Sequence, residues 1–450
     1  MFMTVLSFFF AMLLLIIVHE FGHFIVARWC GVKVLRFSFG FGKILWSTSD
    51  KYGTEYAWSL FPIGGYVKML DESLGPVAAE DRHLAFNNKP LWARVAVVLA
   101  GPVFNFLFAF LVLWLVLVVG INSLAPIIQN VKPGSIAARA QLRAHEEIIS
   151  LAGDPTRSWR EVQFALMPLI GANDGAVNIV TRSLTDGSQK SHILILKDLH
   201  LAKKQPDVID SLGIEPFIPV VPPVVGEVVP GSPAAVAGFR AGDIVHGIDG
   251  RGITDWLEVV SVIKKHPNHA LVFEIIRQAK FLTIHVNVLE HTTHGKQEGF
   301  VGMRSKAVDW PRGWFRYQRE NPLKAIGVAF KQTIGLTHST MILMARLVLG
   351  KLPLDTMSGP IGIAEGAGAS ARSGLPYYLS FLGLVSISLG VLNLLPIPML
   401  DGGHLLFFLF EAIRRRPLSE ASKSIAISFG LILLITLMLI ALSNDLTRLT

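Results

Sequence analysis

The sequence predicts a polytopic α-helical membrane protein with four transmembrane helices, two tandem α+β modules, and a membrane-associated β-hairpin region. Three observations predict it: four apolar stretches of bilayer length, an internal repeat in the longest polar segment, and a glycine-punctuated alternation of apolar and polar residues at 32–69. Composition agrees. Of 450 residues, 51% are apolar and 16% charged, with mean hydropathy +0.50, against roughly 25% charged in ordinary soluble domains. Intrinsic disorder is excluded, and a single compact soluble enzyme core is not expected.

A hydrocarbon core of ~30 Å needs about 20 helical residues at ~1.5 Å each. Thr4–Ala27, Val95–Ile121, Pro376–Leu400 and Ile425–Ser443 meet that length. No basic residue precedes the first stretch and no small-residue cleavage site follows it, so it reads as a retained helix rather than a secretory signal.

Basic residues flank the spans unevenly. Arg28, Lys33, Arg36 and Lys43 follow the first, Lys89 and Arg94 precede the second, and Arg414, Arg415, Arg416 and Lys423 fill the connection before the last. By the positive-inside rule these connections are cytoplasmic, which puts both termini and the long 122–375 segment on the opposite face, the periplasm of a bacterium. The net charge is 41 minus 33, or +8, yet residues 121–320 hold 22 Lys/Arg against 20 Asp/Glu. The excess sits beside the spans and is no nucleic-acid footprint. The single cysteine, Cys30, rules out an intramolecular disulfide and any CxxC metal site, leaving His and carboxylates as metal ligands.

The extramembrane segment repeats itself at an offset of 97, from Val131 to Val228. Pro133-Gly134-Ser135, Ala137-Ala138, Arg143-Ala144 and Trp159 recur as Pro230-Gly231-Ser232, Ala234-Ala235, Arg240-Ala241 and Trp256. The run from Pro230 to Gly250 resembles bacterial periplasmic PDZ domains, which implies two PDZ modules at 122–216 and 217–308 and peptide C-termini as ligands. Leu212-Gly213-Ile214 and Val301-Gly302-Met303 are candidate carboxylate-binding loops or plain strands. His145-Glu146 stands where the second copy has Gly242-Asp243, which puts the first copy's turn geometry in question.

Two further regions complete the layout. At 32–91, Phe37, Phe39 and Phe41 with Gly40, Gly42 and Gly64-Gly65 suggest β-hairpins on the cytoplasmic leaflet. At 309–374, apolar residues recur with Lys324, Lys331 and Arg346 as in amphipathic helices resting at the interface. The remaining divisions are 1–31, 92–121, 375–413 and 414–450, one transmembrane helix each, and Gly101-Pro102 is expected to break the second.

The first span contains His19-Glu20-Phe21-Gly22-His23, an HExxH. On a helix, i and i+4 differ by a net ~40°, so both imidazoles project from one face and can bind one metal ion, with Glu20 placed to act on a water. An ionisable side chain at mid-bilayer costs about 2.5 to 3.5 kcal/mol, so three in one span need a compensating partner, which a bound Zn²⁺ supplies. A catalytic zinc takes three protein ligands and keeps one position open. The third span ends in Asn393-Leu394-Leu395-Pro396-Ile397-Pro398-Met399-Leu400-Asp401-Gly402-Gly403, where two prolines break the helix and Asp401 lies toward the basic side, like His19.

HExxH in the first helix and NxxPxPxLDGG in a later one resemble the site-2 protease family of intramembrane zinc metalloproteases. That resemblance implies zinc ligation by His19, His23 and Asp401, catalysis by Glu20, and substrate handling by Asn393, Pro396 and Pro398. It also implies substrates that are single-pass membrane proteins, such as an anti-sigma factor already trimmed by another protease, or remnant signal peptides. Gly101-Pro102-Val103-Phe104-Asn105 resembles a further family element, and His404 is either a donor to a metal ligand or an interfacial histidine. The alternative is a membrane-anchored PDZ scaffold without catalysis. An ion-path transporter would show inverted repeats among its spans, which the sequence lacks.

Overall fold

The computed structural model describes residues 2–166, 169, 176–198, 208–217, 220–293, 296–308, 313–350, 354, 357–416 and 418–449. They form two compact units, Met1–Pro216 with Arg316–Thr450, and Phe217–Phe315.

In the first unit, helix α1 (Phe2–Trp29) ends at Gly31, whose φ of +69° lets the chain turn back so that Val32 donates to the Ala27 carbonyl at 2.9 Å. Strands β1 (Val34–Ser49) and β2 (Glu55–Met69) follow as an antiparallel pair. Each folds upon itself: Phe37 is paired with both Val67 and Tyr56, and Phe39 with both Gly65 and Trp58. The bends fall at Gly40 and Gly42, both at φ +90°, and at Gly64, at φ +121°. The two strands therefore make four segments in the order 65–69, 34–39, 55–59 and 44–49, with 65–69 on an edge. Phe24, Ala27, Val34, Phe37 and Val97 bury one face against the helices, while Leu45, Trp46 and Phe61 remain exposed.

Helix α2 (Leu91–Val119) runs through Pro102 without interruption, which corrects the expected break. A proline forfeits one i→i−4 bond, and in an apolar helix with no water to compete the flanking bonds persist. Gly22 of α1 and Ala100 of α2 show why the two pack closely, since a Cβ on Gly22 would lie 2.5 Å from the Ala100 carbonyl oxygen.

Among the described residues, four helices are long and apolar enough to cross a membrane: Met3–Trp29, Leu91–Val119, Leu375–Asn393 and Ala421–Thr447. The third is shorter than the sequence suggests, ending at Asn393 rather than Leu400. Residues 394–400 are irregular, Met399 has φ +108°, and a new helix starts at Asp401 and runs to Arg414. Gly402 and Gly403 allow this reversal, because Cβ atoms there would come within 2.2 Å of the Leu395 carbonyl oxygen and 2.4 Å of that of Ile397.

The 309–374 region supplies helices Pro322–Val348 and Pro360–Ser373, which pack on the spanning helices through small residues. Ala325 and Ala329 are buried with Ala109 and Leu113 of α2, and Gly368 lies against Thr4 of α1. Asp445, near the end of the last helix, accepts N–H bonds from Gly359, Ile361 and Gly362 at 2.9, 2.9 and 3.0 Å. It thereby caps the 360–373 helix from outside.

The repeat corresponds to two sheets of the same topology. In the first unit, Asp154–Pro155, Glu146–Leu151, Ala176–Ser183 and Gln189–Ile195 lie in that order. In the second unit, Arg251–Gly252, Ile244–Ile248, Ala270–Arg277 and Lys280–Asn287 do the same. Each module opens its short helix with a serine cap, Ser135 accepting from Ala138 N and Ser232 from Ala235 N. His145 adopts φ +63° and Gly242 φ +92°, and the following acid caps the turn in both, so the first copy keeps the turn despite the substitution. Ile214–Pro216 and Met303–Ser305 are short strands, paired with Ile128–Val131 and Val225–Val228.

Candidate metal centre

The helical register of α1 sets His19 and His23 side by side, with ring centroids 4.8 Å apart and Nε2 atoms 3.2 Å apart. The break after Asn393 delivers Asp401 to the same point. Its Oδ2 lies 3.2 Å from His19 Nε2 and 3.5 Å from His23 Nε2, so the three donor atoms lie within 4.8 Å of one another. Among the described residues no other trio of His, Cys, Asp or Glu converges in this way.

Asp401 Oδ2 is buried with no aligned hydrogen-bond donor. Lone pairs converging at these distances repel unless a cation lies among them, and two imidazoles with one carboxylate form a donor set suited to zinc with an open position. The residues present therefore fit a zinc ion.

Helix α2 orients the histidines. His23 Nδ1 is 2.8 Å from the Val97 carbonyl oxygen, an acceptor only, so Nδ1 carries the proton and the Nε2 lone pair faces the centre. Gly101 leaves room for the rings, since a Cβ there would be 2.3 Å from His23 Nε2 and 2.6 Å from His19 Cε1. The buried Asn105 amide lies 3.2 Å from His19 Nδ1, with its Oδ1 unpartnered. Turning that amide over lets Oδ1 accept from His19 Nδ1–H, which frees Nε2 in the same way.

Glu20, one residue along, lines with His23 and Asp401 an open cleft of about 250 Å³ whose wall includes Val67, Met69 and His404. Its Cγ lies 3.4 Å from where a Gly65 Cβ would stand, so the edge segment 65–69 runs past it. Asn393 meets the centre directly, with Nδ2 3.3 Å from His19 Nε2. Pro396 is exposed and Pro398 half-buried, and neither lines the cleft. Pro398 is instead covered by Gly430 of the last helix, whose added Cβ would fall 1.7 Å from its carbonyl oxygen.

Sequence reasoning singled out the run from Gly101 to Asn105 but not the contacts of Gly101 and Asn105 with the histidines, and it missed Val97 and Gly430. The three on α2 carried a legible signal, since 97, 101 and 105 recur every four residues and so share one helix face. Gly430 carried none.

The profile of Peptidase family M50 matches residues 7–437. The chain belongs to that family and is a zinc-dependent protease of the membrane, which sets aside the non-catalytic scaffold. It is 42% identical over 443 residues to the regulator of sigma-E protease RseP of Salmonella typhimurium (strain 14028s / SGSC 2262), with 98% of each chain covered. The protein of the same name from Escherichia coli (strain K12) gives 42% over 443 residues with 98% of each chain covered. A Vibrio cholerae relative described as a candidate zinc metalloprotease is 39% identical over 446 residues, covering 99% of this chain and 98% of its own.

Proposed function

We propose that the chain hydrolyses peptide bonds within or near transmembrane segments of single-pass proteins, with His19, His23 and Asp401 holding one zinc ion and Glu20 as the catalytic residue. The observation that carries this is the convergence of the three donor atoms, with His23 and Asp401 lining one open cleft beside the Glu20 carboxylate. Zinc held by His19, His23 and Asp401 would supply Lewis acidity, making a water more acidic and a carbonyl more electrophilic. Glu20 takes the proton from the attacking water and returns it to the leaving amine. Val97 and Asn105 keep the imidazoles in the ligating tautomer.

A helical substrate shields its carbonyls by hydrogen bonding, so it must unwind to be cut. The 65–69 edge runs past Glu20 with no strand on its outer side among the described residues, and an unwound segment adds to it as a further strand. Asn393, beside His19, is placed to hold freed backbone groups of the substrate, and Pro396 and Pro398, outside the cleft wall, serve substrate handling by shaping the loop that leads into Asp401.

The names of the relatives point to regulation of sigma-E; an inner-membrane setting, an already trimmed anti-sigma factor as substrate and remnant signal peptides as a second class are what the resemblance to site-2 proteases implies. The asymmetry of basic residues supports a cytoplasm-facing centre with both termini periplasmic. The two modules are read as periplasmic PDZ domains that capture or exclude substrate C-termini.

The test is reconstitution of the purified chain with a single-pass peptide, followed by sequencing of the products with and without a chelator. Cleavage inside the membrane segment that stops on chelation and in Glu20→Gln is expected. Unchanged cleavage by Glu20→Gln refutes the assignment.

A further inference from the structure

One stripe of α2 touches both halves of the metal centre. Arg94, Val97, Gly101 and Asn105 succeed one another at three, four and four residues, hence on one face. Val97, Gly101 and Asn105 contact the histidines of α1. Arg94 contacts the other ligand-bearing helix instead. Its Nη1 and Nη2 donate to the two Glu411 carboxylate oxygens at 3.0 and 2.6 Å, and its guanidinium carbon lies 5.1 Å from the centroid of the Phe408 ring. Asp401, His404, Phe408 and Glu411 form the facing stripe, at three, four and three residues. The ion pair joins positions 317 residues apart, with the Arg94 and Glu411 side chains 14% and 22% exposed.

We propose that the Arg94–Glu411 pair is a positioning element that sets the depth of Asp401 against the two imidazoles. The proposal rests on the reading that His19, His23 and Asp401 hold zinc. The helix carrying Asp401 starts from an irregular loop, so its own backbone does not determine how far it slides along α2. A planar bidentate fork fixes both distance and rotation, which a lysine cannot do. Because that fork is on the stripe that seats the imidazoles, α2 acts as a common ruler for all three ligands. A pair that merely glued two helices together would change stability and leave metal affinity alone.

The experiment measures zinc affinity of the purified full chain in detergent by competition with a chromophoric chelator, alongside thermal unfolding of the metal-free protein. Arg94→Ala and Glu411→Ala are each expected to weaken zinc binding about 10- to 100-fold, the range for groups that orient ligands. The double alanine variant should lose less than the two single losses combined, and the swapped Arg94→Glu/Glu411→Arg chain should regain affinity over either single charge reversal. Asp401→Ala serves as control: if it binds zinc as tightly as the parent, the ligand assignment itself has failed. If Asp401→Ala loses zinc while the Arg94 and Glu411 variants hold it as the parent does, whatever their unfolding temperature, the positioning role is overturned. Should a single alanine variant not fold, the swapped chain decides, with affinity above the charge reversals supporting the pair and equal loss refuting it.

Discussion

The Nδ1 of His23 stands 2.8 Å from the carbonyl oxygen of Val97. That contact between α1 and α2 makes a backbone group of one helix choose the tautomer of a side chain on the other. No substitution at residue 97 removes a carbonyl, so the contact tolerates sequence change provided α2 stays helical. Persistence of that helix through Pro102 is thus a condition of the chemistry.

Glu20→Gln keeps the size of the side chain and removes its ability to take a proton. Cleavage is expected to fall by about 10²- to 10⁴-fold. Zinc content by elemental analysis should match the parent, because Glu20 is not among the three converging donors.

Gly101→Ala introduces a methyl 2.3 Å from His23 Nε2. Overpacking of this kind costs about 1–3 kcal/mol, and here it falls on the ligands themselves. Zinc loss under mild chelation should be faster than in the parent, with helical content by circular dichroism unchanged.

Asn105→Leu leaves His19 Nδ1 without a partner in a buried site. Zinc affinity should drop about 10- to 100-fold. Asn105→Asp, whose carboxylate accepts from Nδ1–H, should retain more affinity than Asn105→Leu, and chelator competition distinguishes them.

Gly430→Ala drives a Cβ onto the Pro398 carbonyl, 1.7 Å away in the present packing. The loop or the last helix must shift. Peptide cleavage should decline through KM while zinc stoichiometry stays at the parent value.

Asp50, in the turn between β1 and β2, is held down from the ordinary 3.8 to about 2, first by the Arg28 guanidinium and then by the N–H groups of Thr54 and Tyr52. A depressed carboxyl stabilises the fold fully above its unfolded pKa and loses that effect as pH falls through the folded one. The melting temperatures of the parent and Asp50→Asn should therefore differ by a constant amount at neutral pH. The gap should close between about pH 4 and pH 2.

Much of the fold was legible because the bilayer imposes a simple code. Three of four helices fall where length and hydropathy put them, and the PGS and Trp repeat marks two sheets of one topology. The third span stops at Asn393 rather than Leu400: apolar composition alone extends it, while Pro396 and Pro398 mark the break, and Gly402 and Gly403 make the tight approach to the 395 and 397 carbonyls possible. The break assigned to Pro102 was wrong because a lone proline is judged without knowing what its helix packs against. His19, His23 and Asp401, which motif chemistry singles out, converge in space. The groups that orient them were harder to see, since Val97 acts through its backbone and Gly101 and Gly430 through having no side chain at all.

The side chains of His19 and Asp401 come from positions 382 residues apart in the chain (401 minus 19). At roughly 5–20 residues per second, a ribosome takes about 20–80 s to travel between them. Throughout that interval the newborn chain carries both imidazoles without the Asp401 carboxylate that converges on them. Synthesis itself thus acts as a safety catch, and a nascent chain arrested before codon 401 is expected to hold no tightly bound zinc.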